Sequence, residues 1–251
     1  MSPTSRKPSG TPRTTRGAAR FALPFTTVDV VIFTVLDSAL QVLLVQRPQV
    51  EDEPFPGRWA LPGGYVDVAA DADLQACARR KLREKTQVTS PYLEQLGSWG
   101  GKARDPRGWS ATHVYFALVP AADLQPTRGA NAHEVAWADV DAAVSQGGLA
   151  FDHDLILRAA VERLRSKVEY TSLPAYLLPE PFTLPQLQRM YEVVLGRPVD
   201  KSGFRTRTLA ADFLDEVGTT EGDSNRSATA YRLRQRGRLI TFPRTFSPRS
   251  P

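Results

Sequence analysis

Four prolines crowd a short stretch in the last third of the chain and limit how it can fold. Pro174, Pro179, Pro181 and Pro185 all lie within residues 171–185. Because proline lacks an amide hydrogen and clashes with the preceding helical turn, this stretch cannot form one continuous helix. The chain has 251 residues, enough for one large domain or two modest ones. We therefore place a domain boundary in this stretch.

Charge is distributed unevenly along the chain. Residues 1–20 carry five basic and no acidic side chains, residues 21–194 have a net charge of −5, and residues 195–251 have a net charge of +5. A basic C-terminal part favours an anionic partner, although ordinary solvated surface charge explains the same balance. The first 20 residues are rich in Ser, Thr, Pro, Gly and Arg, which predicts a disordered basic tail.

Composition and hydropathy argue against several classes of protein. The single cysteine, Cys77, cannot form an intramolecular disulfide. No apolar run approaches the roughly 20 residues of a membrane span. The polar, basic N-terminus lacks the apolar core of a secretory signal. We therefore expect a cytoplasmic protein.

The part before the boundary mixes strand and helix patterns. Its β-branched and apolar runs predict strands at 27–36, 40–46, 92–99 and 110–119. Helical spacing of apolar residues predicts helices at 71–86 and 152–168. Asp71 or Asp73 is expected to begin the first helix, and Asp152 the second.

The segment from Gly64 to Val88 resembles the Nudix box. That motif reads as a glycine, five spacers, a glutamate, seven spacers and then R-E-U-x-E-E-x-G-U, where U is aliphatic. Residues 59–64 match the lead-in usual in the family, and residues 80–88 match the second half in register. The resemblance implies a Nudix-like fold over roughly residues 24–168.

Departures from the motif bear directly on activity. The first and last glutamates of the second half lie on one helical face and bind a divalent metal in the family. Here those positions are Lys81 and Lys85, and the upstream motif glutamate falls at Ala72. Gln87 replaces the glycine at the helix end, where a left-handed residue is usual. We predict no metal site, no cofactor and no hydrolase activity. An active hydrolase that recruits other carboxylates, such as Glu94 or Glu134, is the alternative.

Enzymes of the Nudix fold bind nucleoside diphosphates, so a retained pocket is expected to bind such a ligand. Lys81 and Lys85 are candidates to contact its pyrophosphate, since ammonium groups bind phosphate. The other candidate ligand-binding residues are Arg47, Arg58, Gly63, Gly64, Glu84, Arg104, Arg107 and Trp109. Ordinary surface positions for the lysines and for the 102–109 loop are the competing interpretation. The three histidines show no metal-ligand spacing, so we interpret them as structural; they are His113, His133 and His153.

The part after the boundary shows two helices followed by a hairpin. Thr183 is expected to cap a helix that ends at Leu195, and Asp200 a second helix that ends at Val217. Gly196 and Gly218 are expected to close these helices. The second helix is predicted to bury Leu209, Phe213 and Val217. Strands are predicted at 229–233 and 239–242.

Two helices and a hairpin are typical of a winged helix, in which the second helix enters the DNA major groove. The candidate DNA contacts on this helix and on the wing are Lys201, Ser202, Arg205, Thr206, Arg207, Arg226, Tyr231 and Arg232. Basic and small polar side chains of this kind contact phosphates and base edges. A winged helix that binds another protein is the alternative.

Residues 177–192 and 195–205 are similar to the Nudix-related transcriptional regulators of NAD metabolism. The resemblance covers about residues 24–240 and implies an α+β fold, with a Nudix-like α/β/α sandwich and a C-terminal winged helix-turn-helix domain. It implies a homodimeric repressor of NAD biosynthesis or salvage genes that binds a palindromic operator and senses ADP-ribose or a related NAD metabolite.

On this basis we divide the chain into four parts. They are a basic tail at 1–22, a ligand-sensing domain at 23–168, a DNA-binding domain at 169–242 and a tail at 243–251. A ligand changes DNA affinity only if it binds two arrangements of the protein differently. We expect the rearranging parts to be the proline-rich hinge at 171–185 and the helix at 152–168.

Overall fold

A computed structural model of the chain describes residues 24–87, 92–124, 134–221 and 227–243, together with Phe246. The predicted tail at 1–22, His133, Arg226 and the motif's Val88 lie outside the described residues. None of the helices in these ranges is both long enough and apolar enough to cross a membrane.

The described residues contain nine strands and five α-helices. The strands are β1 (Phe25–Leu36), β2 (Ala39–Gln46), β3 (Trp59–Ala60), β4 (Gly63–Tyr65), β5 (Tyr92–Gly101), β6 (Ser110–Leu118), β7 (Val135–Asp139), β8 (Leu214–Glu221) and β9 (Ser227–Leu233). The helices are α1 (Leu74–Thr86), α2 (Val140–Gln146), α3 (His153–Val168), α4 (Leu184–Leu195) and α5 (Lys201–Ala210). Two short 3-10 turns lie at Ala121–Asp123 and Leu173–Leu177.

The first seven strands form one mixed sheet. Its main path is β3-β2-β1-β6-β5, with β4 paired to β1 and β7 paired to β2. β1 runs parallel to β6, and the other pairs are antiparallel. The predicted hairpin between β1 and β2 turns at Asp37 and Ser38, which both have positive φ as a tight two-residue hairpin turn requires.

Side chains of β1 alternate between the two faces of this sheet. Val28, Val30 and Ile32 pack with α1 on one face, whereas Val31 and Phe33 pack with α3 on the other. All five are fully buried. The sheet is therefore covered by helices on both faces, which confirms the predicted sandwich.

Helix α1 has the ends that its sequence predicts. Asp73 caps it by accepting a hydrogen bond from the amide of Ala76 at 2.7 Å. Gln87 follows the last turn in the left-handed conformation, with φ of 58°. A residue with a side chain pays roughly 1–2 kcal/mol for this conformation. Gln87 thus adopts the left-handed backbone conformation that glycine provides at this position of the Nudix box.

The winged helix departs from prediction after its second helix. α5 ends at Ala210, Asp212 takes a left-handed conformation, and the chain continues as β8. Phe213 is buried as predicted, but Leu209 and Val217 are 41% and 43% exposed. The predicted extension of this helix to Val217 is wrong, because antiparallel pairing with β9 takes up the backbone groups beyond Phe213.

The predicted second hairpin is also wrong. The wing is formed by β8 and β9, whereas residues 239–242 run back along residues 170–172. The amide of Ser172 donates to the carbonyl of Ile240 at 2.9 Å, and that of Phe242 donates to the carbonyl of Tyr170 at 2.7 Å. Phe242 is buried in the core, which holds this segment away from the wing.

The proline-rich stretch is a packed junction. All five residues of Leu173–Leu177 are buried. One continuous hydrophobic cluster contains Phe33 of the sheet, Leu164 of α3, Tyr176 of the junction and Leu187 of α4. The sandwich and the winged helix therefore share a core, and the expected hinge at 171–185 carries part of it.

Candidate functional site

A cavity of about 350 Å³ opens beside α1, where the Nudix box folds against β1. Its walls come from β1, β2, β4 with its paired glycines, α1, the loop between β5 and β6, and the start of α3. The predicted ligand-binding residues that line it are Arg47, Gly63, Gly64, Lys81, Lys85, Arg104 and Arg107. Seven of the ten candidates thus meet in one cavity.

Lys81 and Lys85 lie one helical turn apart and both face the cavity. Lys81 lies against Gly64, where an added Cβ would come within 3.1 Å of its Nζ. Lys85 is 6% exposed, and this burial lowers the pKa of its ammonium group, opposed by Glu84. Within the described ranges Lys85 has no ion-pair partner, so its charge is available to an anionic ligand.

The backbone of Gly63 in β4 lies closer to β1 than a residue with a side chain would allow. A Cβ at Gly63 would overlap the carboxylate of Asp29, so only glycine fits here. Gly64 has φ of 149°, a conformation that residues with side chains rarely adopt. These two positions explain why the motif's lead-in ends in paired glycines.

Asp29 and His153 line the cavity, and Thr112 supports Asp29 from behind. The hydroxyl of Thr112 donates to Asp29 Oδ2 at 2.7 Å, and His153 Nε2 lies 3.7 Å from the same oxygen. The amide of Leu61 donates to His153 Nδ1 at 2.9 Å, so the ring proton lies on Nε2, facing Asp29. Burial raises the pKa of Asp29, but His153, Thr112 and Arg104 hold it below its ordinary value.

Three arginines surround the opening, each held by a carboxylate. Arg47 pairs with Glu53 and stacks on the ring of Phe151 at 4.8 Å. Arg107 donates to the Asp105 carboxylate from Nη2 at 2.8 Å and from Nε at 3.0 Å. The third, Arg104, binds Asp152 through two hydrogen bonds of 3.0 and 2.9 Å. These contacts fix the cations before a ligand arrives.

The residues at the Nudix-box positions do not fit a divalent metal. A dication at about 4 Å from each ammonium group of Lys81 and Lys85 would be repelled by several kcal/mol. Glu84 is exposed and pairs with Arg80 at 2.9 Å and Lys81 at 3.4 Å. Across the described ranges, no group of three or more His, Cys, Asp and Glu side chains is placed to hold a metal ion.

Three predicted ligand-binding residues lie outside the cavity wall. Arg58 is exposed and lies over the ring of Phe55. Glu84 lies on the outer side of α1, and Trp109 is half exposed beyond Arg107. The sequence did not indicate that Asp29, Phe151 and His153 line the cavity, because their partners in the fold are distant in the chain.

The second helix of the winged helix presents a polar face. Lys201, Ser202, Arg205 and Thr206 are all exposed on α5, as a DNA-reading helix requires. Asp200 caps the helix by accepting from the amide of Gly203 at 2.6 Å. Buried Phe204 and Thr208 form the opposite face.

Arg207 and Tyr231, which were also predicted to contact DNA, are less exposed than these four residues. Arg207 is half-buried, and its guanidinium stacks on Phe246 at 4.5 Å. Tyr231 is buried in the shared core and exchanges backbone hydrogen bonds with Phe182, so its side chain cannot reach DNA. Arg232 is exposed on β9, 3.7 Å from Asp215. Arg226 lies outside the described residues.

Comparisons with known proteins cover both halves of the chain. A model of the NUDIX domain matches residues 26–160, and a model of the NrtR DNA-binding winged helix domain matches residues 174–233. The chain is 42% identical over 221 residues to the ADPR responsive transcriptional repressor NtrR of Acinetobacter baylyi, which covers 88% of this chain and 86% of that protein.

Solved structures agree with this pairing of domains. Shewanella oneidensis NrtR is 42% identical, with a TM-score of 0.77 over 88% of this chain and 99% of that one. The same protein complexed with a 27mer DNA gives a TM-score of 0.78, over 88% and 98% of the two chains. The predicted fold and family are thereby confirmed. This chain belongs to the NrtR family, in which a Nudix domain is joined to a DNA-binding winged helix domain.

Proposed function

We propose that this protein is a transcriptional repressor whose DNA affinity falls when ADP-ribose, or a related NAD metabolite, occupies the Nudix cavity. The observation that carries the proposal is the pair Lys81 and Lys85, which line the cavity where Nudix hydrolases hold metal-binding glutamates. The relative from Acinetobacter baylyi is described as ADPR-responsive. The winged helix on the same core supplies the DNA-binding half.

The charges of the cavity suit a diphosphate. Five cationic side chains line it against three carboxylates, and each carboxylate faces an arginine or histidine. Lys81 shares the exposed Glu84 with Arg80, and Lys85 has no ion pair in the described ranges, so the two lysines leave an excess of positive charge on one wall. A pyrophosphate bridging this wall would replace the metal-mediated contact of the hydrolases with a direct one.

We propose further that the protein does not hydrolyse its ligand. The two lysines disfavour the cation that would activate water in a Nudix hydrolase. The alternative recruitment of Glu94 finds no support, because Glu94 pairs with Lys167 and Tyr92 away from the cavity wall. Exposed Glu134 is likewise absent from the residues that line the cavity.

The operator and the assembly follow from the same proposal. A homodimer would present two copies of α5 to the half-sites of a palindrome, about one helical turn apart. Because ADP-ribose is what remains of NAD after loss of nicotinamide, genes of NAD biosynthesis or salvage are the proposed targets.

Titration of labelled DNA from upstream of the protein's own gene, with and without ADP-ribose, tests the proposal. We expect specific, salt-sensitive binding that ADP-ribose weakens. Specific binding indifferent to ADP-ribose would overturn the assigned effector. Salt-insensitive or absent DNA binding would favour the protein-binding winged helix, and Mg²⁺-dependent release of AMP from ADP-ribose would establish the hydrolase instead.

A further inference from the structure

Helix α3 extends from the ligand cavity to the winged helix. At its start, His153 lines the cavity and Asp152 binds the cavity residue Arg104. Near its end, Arg165 donates from Nε to the carbonyl of Val194 in the last turn of α4, at 3.1 Å. The helix is 16 residues long, so one rigid element touches both functional regions.

Asp152 occupies the position before α3 that normally caps a helix, yet its side chain caps nothing. Asp73, Asp139 and Asp200 occupy the same position before α1, α2 and α5, and each accepts a hydrogen bond from the amide three residues later. Both carboxylate oxygens of Asp152 are instead bound by Arg104. The amide of Leu155, three residues later, donates instead to the backbone carbonyl of Asp152 at 3.0 Å.

Arg104 is positioned to exchange partners. Its side chain is 7% exposed and lines the cavity, with Ser110 Oγ at 3.1 Å and Asp29 Oδ2 at 3.9 Å. The Asp152 side chain is 16% exposed. An anionic group in the cavity competes directly with Asp152 for this guanidinium.

The far end of α3 is fastened to the winged helix by several polar contacts. Arg165, which donates to Val194 of α4, is itself held by Asp141 of α2 in the sandwich, at 2.8 and 3.1 Å. Glu169, which follows the helix, accepts from Arg197 at 2.5 Å, and its carbonyl accepts from the amide of Phe246 at 2.9 Å. A shift of α3 along or about its axis must therefore displace α4 or strain these contacts.

We propose that Asp152 is the positioning residue that couples the cavity to the winged helix. In the DNA-binding arrangement it holds Arg104. When a ligand phosphate draws Arg104 away, the Asp152 carboxylate turns back to α3 and takes the amide of Leu155 from the Asp152 carbonyl, and the altered first turn shifts the helix against α4. The proposal rests on the function given above and assigns the part of the protein that transmits the ligand's effect.

Asp152→Asn separates this role from a structural one. Asparagine still caps a helix but cannot form the ion pair, so the variant favours the ligand-bound arrangement. DNA affinity without ligand is expected to fall about 10-fold, within the roughly 5- to 150-fold range of allosteric couplings. Because coupling is reciprocal, ADP-ribose affinity is expected to rise, and the loss of DNA affinity caused by ADP-ribose shrinks towards none.

Asp139→Asn is the matched control. It makes the same substitution at the capping position before α2, where the Asp139 side chain accepts from the amide of Ala142 at 2.8 Å and is not among the residues that line the cavity. The control is expected to keep wild-type DNA affinity and a wild-type ratio of DNA affinities with and without ADP-ribose. Asp152→Glu, which retains the charge, is expected to restore part of the response.

Four results distinguish failure of this coupling from failure of the function. Absent DNA binding or absent ADP-ribose response in the wild type would overturn the proposed function itself. A responsive wild type with an equally responsive Asp152→Asn variant would overturn the coupling alone. Parallel loss of both affinities would mark Asp152 as merely structural. An equal effect in the Asp139→Asn control would remove the special role of Asp152.

Hydrogen–deuterium exchange on the wild-type protein tests the coupling without any variant. Adding ADP-ribose is expected to slow exchange of amides in the first turn of α3, residues 153–156, and to change exchange in the last turn of α4, residues 192–195. Changes confined to the cavity wall, with both turns unaffected, would overturn the proposal.

Discussion

Helices α1 and α5 both carry basic side chains that are proposed to bind an anionic partner, but these side chains lie in opposite environments. On α1, Lys85 is buried and Lys81 lies against Gly64 inside a cavity. On α5, Lys201 and Arg205 extend into solvent. A buried cation loses its hydration in advance and suits one compact anion. An exposed cation suits a polyanion whose many weak contacts add up.

The two helices also differ in how much the fold prepares them. Carboxylates hold Arg47, Arg104 and Arg107 around the cavity in fixed directions. On α5, by contrast, the cap at Asp200 fixes the backbone, while Lys201 and Arg205 extend into solvent. Under the proposed function, ligand recognition rests on preorganised geometry, whereas DNA recognition rests on exposed charge that adjusts at the surface.

Reversing the cavity lysines should produce the largest effect. The double variant Lys81→Glu and Lys85→Glu, assayed by calorimetry in EDTA, is expected to weaken ADP-ribose binding at least about 100-fold, since each buried ion pair with phosphate contributes roughly 2 kcal/mol or more. DNA affinity without ligand should stay near wild type. Arg79→Glu with Arg83→Glu, the same charge change on exposed positions of α1, is the control. Equal losses in both would show that overall charge, and not the cavity, attracts the ligand.

Exposed Arg205 and half-buried Arg207 give a second, smaller test. Arg205→Ala is expected to weaken DNA binding about 10-fold and to reduce the salt dependence by about one ion, without lowering thermal stability. Arg207→Ala removes a cation–π contact with Phe246 and is expected to lower stability by about 0.5–1 kcal/mol. A thermal melt and a salt titration of each variant separate the two roles. Identical behaviour of both variants would contradict the distinction drawn from burial.

The pH dependence of ligand binding should show the smallest effect. Burial lowers the pKa of Lys85, and an anionic ligand favours its charged form. ADP-ribose affinity is therefore expected to fall several-fold as pH rises from neutrality towards the ordinary lysine pKa of about 10.4. Lys85→Arg, which stays charged, should flatten this profile. A wild-type profile that is already flat would show that Lys85 does not contact the ligand.

Local patterns in the sequence predicted much of this fold. The cap at Asp73, the capping interaction at Thr183 and the left-handed Gly196 follow from side chains and backbone within a few residues of each other. The end of α5 was not predictable in this way. Leu209, Phe213 and Val217 have helical spacing, but pairing with β9 outweighs it. Strand partners distant in sequence are invisible to local patterns.

The burial of Phe246, near the end of the chain, was also not predictable from local sequence patterns. The sequence places it in a tail, yet it is buried against Tyr191, Phe204 and Phe242. The residues around it are largely polar and predict no packed element. Its burial depends on a pocket formed by α4 and α5, which exists only after these helices have packed together.

The sequence by itself determined the family, the order of the two domains and the placing of Lys81 and Lys85 one helical turn apart in the Nudix box, because motif spacing and helix caps are local properties. Only the tertiary structure decided which cations meet in the cavity and which carboxylates hold them. Arg104 and Asp152 lie 48 residues apart in the chain and are brought together by the sheet and α3. Such contacts depend on how whole elements pack, because a side chain's partner is chosen by its position in space.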